Sequence, residues 1–141
     1  MENLLQPEHT EDMLLINQVG SDSKKGRYKM EAKAIAKYVR MSPSKLKPVA
    51  DLVRGKDLGE ALNILKFTPG KGSEILEKVV ESAAANAENN FDMSRDNLYV
   101  AEVYANQGPT MKRWRAGAQG RASMILKRSS HVGVTLKERE N

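Results

Sequence analysis

Six cationic side chains lie in the stretch of residues 108–131, which contains no Asp or Glu: Lys112, Arg113, Arg115, Arg121, Lys127 and Arg128. Arginine and lysine pair with phosphate oxygens, and arginine also stacks on bases. Trp114 stands between two of the arginines, so its indole either stacks on a base or packs on arginine stems across a hairpin. Ser129, Ser130 and His131 are either short donors to a ligand or ordinary polar residues at a strand end. The stretch predicts a binding site for a polyanion.

Charge is segregated along the rest of the chain as well. Residues 1–22 carry five acids and no base, and residues 24–56 carry eleven bases and two acids. Residues 57–102 carry nine acids and four bases, and residues 103–137 carry seven bases and no acid. Any one block is compatible with a solvated surface, but two basic blocks around an acidic middle indicate a scaffold with an oriented binding face.

Catalytic chemistry finds little support in the sequence. The histidines, His9 and His131, belong to no Ser/His/Asp arrangement, and no zinc-ligand spacing is present. Gly70-Lys71-Gly72-Ser73 resembles half of a phosphate loop, but the G-x-x-x-x-G-K-[ST] spacing is missing. We interpret this stretch as a glycine-rich helix entrance, where a nucleic-acid phosphate can still bind. We expect no enzymatic activity, no cofactor and no metal.

A long β-hairpin is the element that would position the basic side chains. Strand-like residues flank the stretch at 98–105 and 132–137, and its centre is the small sequence Ala116-Gly117-Ala118-Gln119-Gly120. We predict one hairpin over residues 108–131, with arms of about ten residues that project about 33 Å. A body of this size has a radius of gyration of about 13 Å. Such an arm cannot bury itself against its own domain, so it requires a partner.

The body of the protein is predicted to begin with a strand and a helix. Residues 30–41 alternate, with Ala32, Ala34 and Ala36 on one side, which favours a strand over an alanine-rich helix. Ser42-Pro43 follows as an N-cap and first helical residue. Gly55 can end this helix in the left-handed conformation, and Pro48 inside it is expected to kink or locally loosen it.

Two more helices and the hairpin strands complete the predicted fold. Asp57 to Glu60 resembles a capping box for a second helix, and Thr68 or Ser73 caps a third that runs through Asn89. Strict alternation then places Leu98, Val100, Glu102 and Tyr104 on one face of the first hairpin strand. The resulting fold is α+β, with three helices packed on a small three-stranded antiparallel sheet and a long protruding β-hairpin.

The chain of 141 residues is interpreted as one domain with tails. We expect residues 1–29 to be a disordered extension, acidic and then basic, residues 30–138 to form a single domain, and residues 139–141 to be a tail. No cysteine is present, which excludes disulfides and suits a reducing compartment. The apolar runs are too short to span a bilayer, so we expect no membrane partner.

Five ordered stretches resemble the bacterial form of the large-subunit ribosomal protein twenty-two family. They are Tyr38-Val39-Arg40-Met41-Ser42-Pro43, Val49-Ala50-Asp51-Leu52-Val53-Arg54-Gly55-Lys56, Glu81-Ser82-Ala83-Ala84-Ala85-Asn86-Ala87-Glu88-Asn89-Asn90, Gly108-Pro109-Thr110-Met111-Lys112-Arg113 with Gly120-Arg121-Ala122-Ser123, and Leu126-Lys127-Arg128-Ser129-Ser130-His131. The resemblance implies a cytoplasmic constituent of the large ribosomal subunit that binds 23S-type rRNA and neighbouring ribosomal proteins and forms no homo-oligomer. It also implies an arm whose tip lines the nascent-peptide exit tunnel.

The resemblance and the charge pattern together give the expected site residues. The residues expected to bind rRNA are Arg40, Ser42, Lys45, Lys47, Arg54, Lys56, Lys112, Arg113, Arg115, Arg121, Lys127, Arg128, Ser129 and His131. The residues implied to line the tunnel and meet the nascent polypeptide are Trp114, Arg115, Ala116, Gly117, Ala118, Gln119 and Gly120. Chains of the family commonly begin near Met30, so residues 1–29 are either an extension or the product of a misassigned start.

Two other functional hypotheses stay open at this point. A β-ribbon enters a DNA groove in some architectural proteins, but these usually work as symmetric dimers. A single small-tipped arm on a compact body better suits folded RNA. The third hypothesis is a small phosphate-loop enzyme that uses Lys71, against which the missing loop spacing argues.

Overall fold

The structure is a computed structural model that describes residues 30–139. The predictions for residues 1–29 and for the end of the C-terminal tail lie outside the described residues. The elements follow the chain in the order β1 Glu31–Val39, α1 Pro43–Val53, α2 Leu58–Phe67, α3 Lys71–Phe91, β2 Leu98–Gln107, β3 Met111–Ala116, β4 Ala122–Lys127 and β5 Ser130–Glu138.

Two antiparallel sheets organise the described residues. The first has the strand order β1-β5-β2, and its inner face packs against the helices. The second consists of β3 and β4 alone and extends the hairpin that β2 and β5 begin. The predicted α+β class, the three helices and the three-stranded sheet with a hairpin are therefore confirmed.

The core is built from small and branched apolar side chains between sheet and helices. Ala32 and Ala34 of β1 are buried as their alternation predicted, and α3 contributes the small residues Ala83, Ala84 and Ala87 beside Val80 and Leu76. Small side chains on α3 let the helix lie close to the sheet. Larger buried residues fill the remaining space: Leu46, Val53, Leu58, Leu65, Leu76, Leu98, Val100, Val132, Val134 and Leu136.

The first helix forms where its sequence signals placed it. Ser42 has extended backbone at the N-cap and Pro43 opens α1, although the Ser42 side chain makes no capping hydrogen bond. The helix continues through Pro48. Gly55 has φ +78° just after the helix end, in the left-handed region where glycine carries no Cβ penalty.

The second helix has its predicted N-cap residue without the predicted capping contacts, and the predicted cap of the third helix is wrong. Asp57 occupies the N-cap of α2 without a side-chain cap, because its carboxylate lies 3.0 Å from Arg139 and Glu60 instead pairs with Lys56 at 2.7 Å. The third helix has Gly70 at its N-cap rather than Thr68 or Ser73, and it ends at Phe91, two residues beyond the predicted end. Ion pairing therefore displaced the local capping pattern at α2.

The predicted strict alternation of β2 is wrong, because the strand contains a β-bulge. Pairing with β5 shifts register between Val100 and Glu102, so the buried set passes from Leu98 and Val100 to Val103 and Ala105. A bulge inserts one extra residue and turns the following side chains to the opposite face. Strict alternation would place Glu102 on the same side of β2 as the buried Leu98 and Val100. The bulge instead leaves Glu102 exposed to solvent.

Tyr104 and Gly133 fix the pairing of β2 with β5. The two residues are register partners, and the tyrosine ring lies over the glycine so closely that a Cβ on Gly133 would stand 2.3 Å from Tyr104 Cζ. Gly133 on the central strand β5 therefore leaves room for the ring of Tyr104 on the edge strand β2, which favours this strand register.

An ion-pair cluster joins the first and last strands. The Glu31 carboxylate lies 2.7 Å from Lys137 Nζ and 3.1 Å from Lys33 Nζ, and Glu31 and Lys137 are register partners. Hydrogen bonds from Lys137 and then Lys33 lower the pKa of Glu31 below its ordinary value of 4.5. The bond to Glu31 in turn raises the pKa of Lys137 above its ordinary value of 10.5.

This cluster predicts a pH-dependent effect of Glu31→Gln. A carboxyl whose pKa is lower when folded stabilises the fold above its unfolded pKa, and this contribution is lost as the pH falls through the folded pKa. The raised pKa of Lys137 adds stability below its ordinary value of 10.5 that is lost as the pH rises beyond it. Tm measured against pH should show a small deficit of the variant at neutral pH that disappears in acid below 4.5. A deficit that persists at low pH would show that the cluster acts through packing.

Candidate nucleic-acid interface

The arm, which we define as residues 111–127, projects from the body as a two-stranded ribbon. Every residue of the arm is exposed, and none belongs to the core. Its strands have six residues each, which span about 20 Å at 3.3 Å per residue. The predicted ten-residue strands were too long, because the hairpin divides into two sheets. A ribbon so exposed buries little within its own chain, so its composition reflects an external partner.

The hairpin is interrupted at residues 108–110 and 128–129, which belong to neither of the two strand pairings. Pro109 has no N–H and cannot continue the ladder. Gly108 N–H donates to the Ser129 carbonyl at 2.9 Å, and the Ser129 hydroxyl donates to the Pro109 carbonyl at 2.6 Å. Gly108 is required here, since a Cβ would stand 2.8 Å from Ser129 Oγ. We define residues 108–110 and 128–129 as the junction.

The two faces of the arm differ in chemistry. Directly opposed residues share a face, and the register pairs Met111 with Lys127, Arg113 with Ile125, and Arg115 with Ser123. We call this the basic face, because it carries the cations Arg113, Arg115 and Lys127. The pairs Lys112 with Leu126, Trp114 with Met124, and Ala116 with Ala122 form the other side, the apolar face.

Trp114 is the largest side chain of the apolar face. It remains 66% exposed although Met124 lies opposite it, and Met124 and Leu126 are themselves 48% and 41% exposed. The ring is therefore not buried by arginine stems across the ribbon. An exposed aromatic and two exposed apolar side chains on one face offer a surface for stacking or for apolar contact.

The tip is a defined turn flanked by two arginines. Gly117 N–H donates to the Arg121 carbonyl at 2.7 Å and closes the turn. Gln119 and Gly120 inside it have φ of +56° and +70°, both in the left-handed region. The tip residues 116–120 carry no charge, so they present small side chains and backbone to whatever surrounds them.

Arg40 connects the end of β1 to the base of the arm. Its Nη1 lies 3.3 Å from the Lys127 carbonyl and 3.2 Å from the Arg128 carbonyl. Ser130 completes this connection by donating from its hydroxyl to the Met41 carbonyl. Arg40 therefore sets the direction of the arm, a role that the sequence did not reveal because its partners are backbone atoms.

His131, on β5 just beyond the junction, also contacts the end of β1. Its Nδ1 accepts a hydrogen bond from the Tyr38 N–H at 3.0 Å, and the two rings meet edge to face with centroids 4.9 Å apart. Tyr38 has φ +59°, where the pairing of β1 with β5 becomes irregular. Ser129, Ser130 and His131 thus serve the geometry of the junction, and the Ser129 hydroxyl has no remaining proton to offer a ligand.

Arg40→Lys is predicted to loosen the arm without changing the net charge. A lysine ammonium is a mobile point charge on a flexible stem, so it does not keep the fixed position from which the rigid guanidinium Nη1 meets both carbonyls. Amide hydrogen exchange at residues 128–131 should therefore accelerate, while Tm of the body changes little. Lys47→Arg is the control, since it also keeps the charge and Lys47 is exposed on α1 outside the cleft that Arg40 and Arg128 line. Exchange at residues 128–131 that is no faster in Arg40→Lys than in the control would refute the anchoring role.

A basic cleft brings together several of the predicted binding residues. An open cleft of about 400 Å³ is lined by Arg40, Met41, Ser42, Lys45, Leu126, Lys127 and Arg128. The cleft also lies at the N-terminal end of α1, where the helix dipole favours an anion. The geometry therefore unites residues far apart in sequence into one cationic site at the base of the arm.

The remaining predicted residues lie apart from this cleft. Arg54 pairs with Asp51 at 2.7 Å and donates to the Val103 carbonyl at 3.1 Å, and Lys56 pairs with Glu60. Lys47 is exposed on α1. Arg54 and Lys56 are partly committed within the protein, so they are weaker candidates for phosphate contacts than the arm.

The half phosphate loop is a structural helix entrance. The Ser73 hydroxyl lies 2.6 Å from the carbonyls of both Thr68 and Gly70, and the residue is only 2% exposed. A phosphate-loop hydroxyl must be available to a metal ion, and this one is not. Within residues 30–139, no group of three or more His, Asp or Glu side chains is placed to hold a metal ion.

The fold and the arm define a class of protein: a small α+β scaffold that carries a cationic, two-faced β-ribbon and a basic cleft for a polyanion. Comparison with known proteins narrows this class. A family model described as Ribosomal protein L22p/L17e matches residues 34–137. The chain belongs to this family.

Similar chains from other organisms carry the name Large ribosomal subunit protein uL22. The relative from Finegoldia magna is 61% identical over 111 residues, which cover 79% of this chain and 99% of the relative. The relative from Halothermothrix orenii is 58% identical with coverage of 79% and 98%, and that from Clostridium acetobutylicum 60% identical with 79% and 100%. The matched relatives are thus nearly fully covered, while about a fifth of this chain lies outside the match.

None of the helices in residues 30–139 is long and apolar enough to cross a membrane.

Proposed function

We propose that this protein is a structural constituent of the large ribosomal subunit that holds rRNA with its arm and with the basic cleft at the arm's base. The main support for this proposal is that the ribbon of residues 111–127 is exposed throughout and bears five cations and no acid. Membership of the L22p/L17e family supports the assignment to the ribosome. The protein performs no catalysis and works in the cytoplasm together with neighbouring ribosomal proteins.

Each face of the arm has its own task in this proposal. Arg113, Arg115 and Lys127 pair with phosphates along the basic face. These side chains already share one face, so binding requires no change in the backbone of the ribbon. Trp114 on the opposite face stacks on an unpaired base, because its ring is exposed and every base offers a π-face. A ribbon with phosphate contacts on one side and stacking on the other fits between segments of a folded RNA.

The basic cleft holds a further phosphate near the body. Lys45 and Arg128 are exposed at its rim, and the N-terminus of α1 contributes the positive end of the helix dipole. Ser42 lies at that terminus, with its hydroxyl free of a capping bond. Lys47, Arg54 and Lys56 add weaker, peripheral contacts.

We infer that the tip of the arm, residues 116–120, lines the nascent-peptide exit tunnel. The support is the family resemblance together with the chemistry of the turn, which is uncharged and presents small side chains. A passing polypeptide of any sequence requires a wall that neither attracts nor repels it strongly. Arg115 and Arg121 flank the turn and hold it to RNA on either side.

A binding assay distinguishes this proposal from the DNA-architectural alternative. The purified protein is titrated with large-subunit rRNA and with duplex DNA of equal length, over a range of salt concentrations. We expect tighter binding to the rRNA at every salt concentration, with a steep loss of affinity as salt rises. Equal or tighter binding to the DNA duplex would support an architectural function and overturn the ribosomal assignment.

A further inference from the structure

The outer edge of β1 and the adjacent side of α3 form a groove that the proposed function does not use. The groove has a volume of about 280 Å³ and is lined by Ala34, Ile35, Ala36, Ile75, Lys78, Val79 and Ser82. Ile35 on the strand is 53% exposed. Within residues 30–139, β1 pairs only with β5 and is the last strand of the sheet.

The backbone of this edge is directed outward at alternate residues. Asn86 of α3 donates to the Lys33 carbonyl at 3.0 Å, so this carbonyl points away from β5. The N–H and C=O of one residue point to the same side of an antiparallel strand, and the pattern repeats every second residue. The N–H groups of Ile35 and Lys37 therefore point to the open edge as well. An edge strand beside a helix, with an apolar groove between them, is a site for an added β-strand.

We propose that residues 13–16 of this same chain, Met13-Leu14-Leu15-Ile16, occupy the groove as an added strand beside β1. Such a strand would place alternate side chains in the groove, against Ile75 and Val79, and the others beside exposed Ile35 on the opposite face of the sheet. An occupant must therefore be apolar on its groove face, and its other face meets Ile35 between the exposed Lys33 and Lys37. A continuous run of four apolar residues supplies both the groove face and a partner for Ile35.

Charge complementarity supports the same occupant. Lys78 lines the groove, Lys37 is exposed near the end of β1, and the apolar run is preceded by Glu8, Glu11 and Asp12. If the segment runs antiparallel to β1, these acids lie next to Lys37 and the end of β1. The acidic segment and the basic strand thus match in charge as well as in hydrophobicity.

The connection between residues 13–16 and β1 is long enough for the segment to fold back beside the strand. Thirteen residues, 17–29, separate Ile16 from the start of the described structure at Met30, and an extended chain of this length spans up to about 43 Å. Antiparallel addition needs only such a loop.

The occupant belongs to the part of the chain that the relatives lack. Nearly the whole length of the Finegoldia magna relative is matched by 79% of this chain, and the family model begins at residue 34. The added strand is therefore a feature of this chain that supplements the family fold. It covers an edge that would otherwise be open to pairing with other chains.

Amide hydrogen exchange of the full chain tests the proposal. The comparison variant replaces Met13, Leu14, Leu15 and Ile16 by serine, which keeps length and charge. The matched control replaces Leu4 and Leu5 by serine. We expect the Ile35 and Lys37 amides to exchange at least about tenfold faster in the four-serine variant than in the unmodified chain or the control.

Two outcomes of this experiment overturn the proposal. Equal exchange in all three proteins would mean that the edge is not covered by this segment. Protection that survives the four serines and rises with protein concentration would mean that a second copy of the chain pairs with β1.

A spin label provides an independent measurement. The chain has no cysteine, so Asn17→Cys gives a single attachment site for a nitroxide. We expect strong broadening of the Ile35 and Ser82 amide signals and none at Phe67, at the exposed end of α2. The same label in the four-serine background should lose this pattern. Identical broadening in both backgrounds would show that the segment does not dock.

Discussion

Excising the arm is expected to leave a folded body that no longer holds rRNA. Residues 111–127 would be replaced by Asn-Gly, which joins Thr110 to Arg128. Met111 and Lys127 are register partners, so a two-residue turn closes the shortened hairpin without moving the junction. No residue of the arm belongs to the core, and the Tm of the isolated protein should change by only a few degrees.

The same excision should have a large effect on binding. The arm carries five of the cations available to phosphate, and each phosphate contact contributes about 0.7 to the slope of log affinity against log salt. The slope should become shallower by up to about 3.5, and the variant should fail to remain on large subunits in a moderate-salt wash.

A core variant provides the control for the excision. Leu46 is fully buried, so Leu46→Ala should destabilise the body by about 2–5 kcal/mol while leaving the arm intact. A drop in Tm after excision as large as that of Leu46→Ala would show that the arm supports the core. Unchanged rRNA affinity after excision would show that the body alone binds, and would refute the role given to the arm.

Neutralising the basic face is the second change with a large expected effect. Arg113→Gln, Arg115→Gln and Lys127→Gln together remove three cations from one side of the ribbon. We expect the salt slope to become shallower by about 2 and the affinity to fall steeply at low salt. The ribbon should keep its shape, since these side chains make no ion pair with any other residue of the region 30–139.

Two comparisons separate this effect from a general loss of charge. Lys66→Gln, Lys71→Gln and Lys78→Gln remove the same charge from exposed positions on α2 and α3, and should change the affinity far less. Trp114→Ala on the opposite face should weaken binding by about 1–3 kcal/mol without changing the salt slope, because stacking releases no counterions. An equal loss in the two triple variants would contradict a face-specific contact.

The sequence was sufficient for the elements and for the location of the charge. Hydrophobic periodicity, Ser42-Pro43 and Gly55 marked the strand and the first helix, and the basic run from Lys112 to Arg128 marked the arm. These features depend on near neighbours in the chain, which a sequence displays directly. The α+β class followed because the order of strands and helices leaves few ways to bury both apolar faces.

Features that depend on distant partners could not be read in the same way. The role of Arg40 rests on two carbonyls that are 87 and 88 residues away, and backbone acceptors leave no trace in residue types. The bulge in β2 and the ion pair between Asp57 and Arg139 likewise arise from tertiary pairing. Such contacts override local signals such as a capping box.

The two faces of the arm were visible in the sequence but were not recognised. Lys112, Trp114 and Ala116 alternate with Arg113 and Arg115 on one strand, while Ala122, Met124 and Leu126 alternate on the other. The register of the ribbon was needed to decide which of these sets share a face. Once Trp114 lies opposite Met124, the separation of a basic from an apolar face follows.

Sedimentation of a cell lysate, with this protein quantified by mass spectrometry in each fraction, tests the central claim most directly. The account predicts one copy of the protein per large subunit, in a fraction that keeps it through a moderate-salt wash. Its absence from that fraction, with recovery in the free pool or on chromosomal DNA, would contradict a structural role in the large ribosomal subunit.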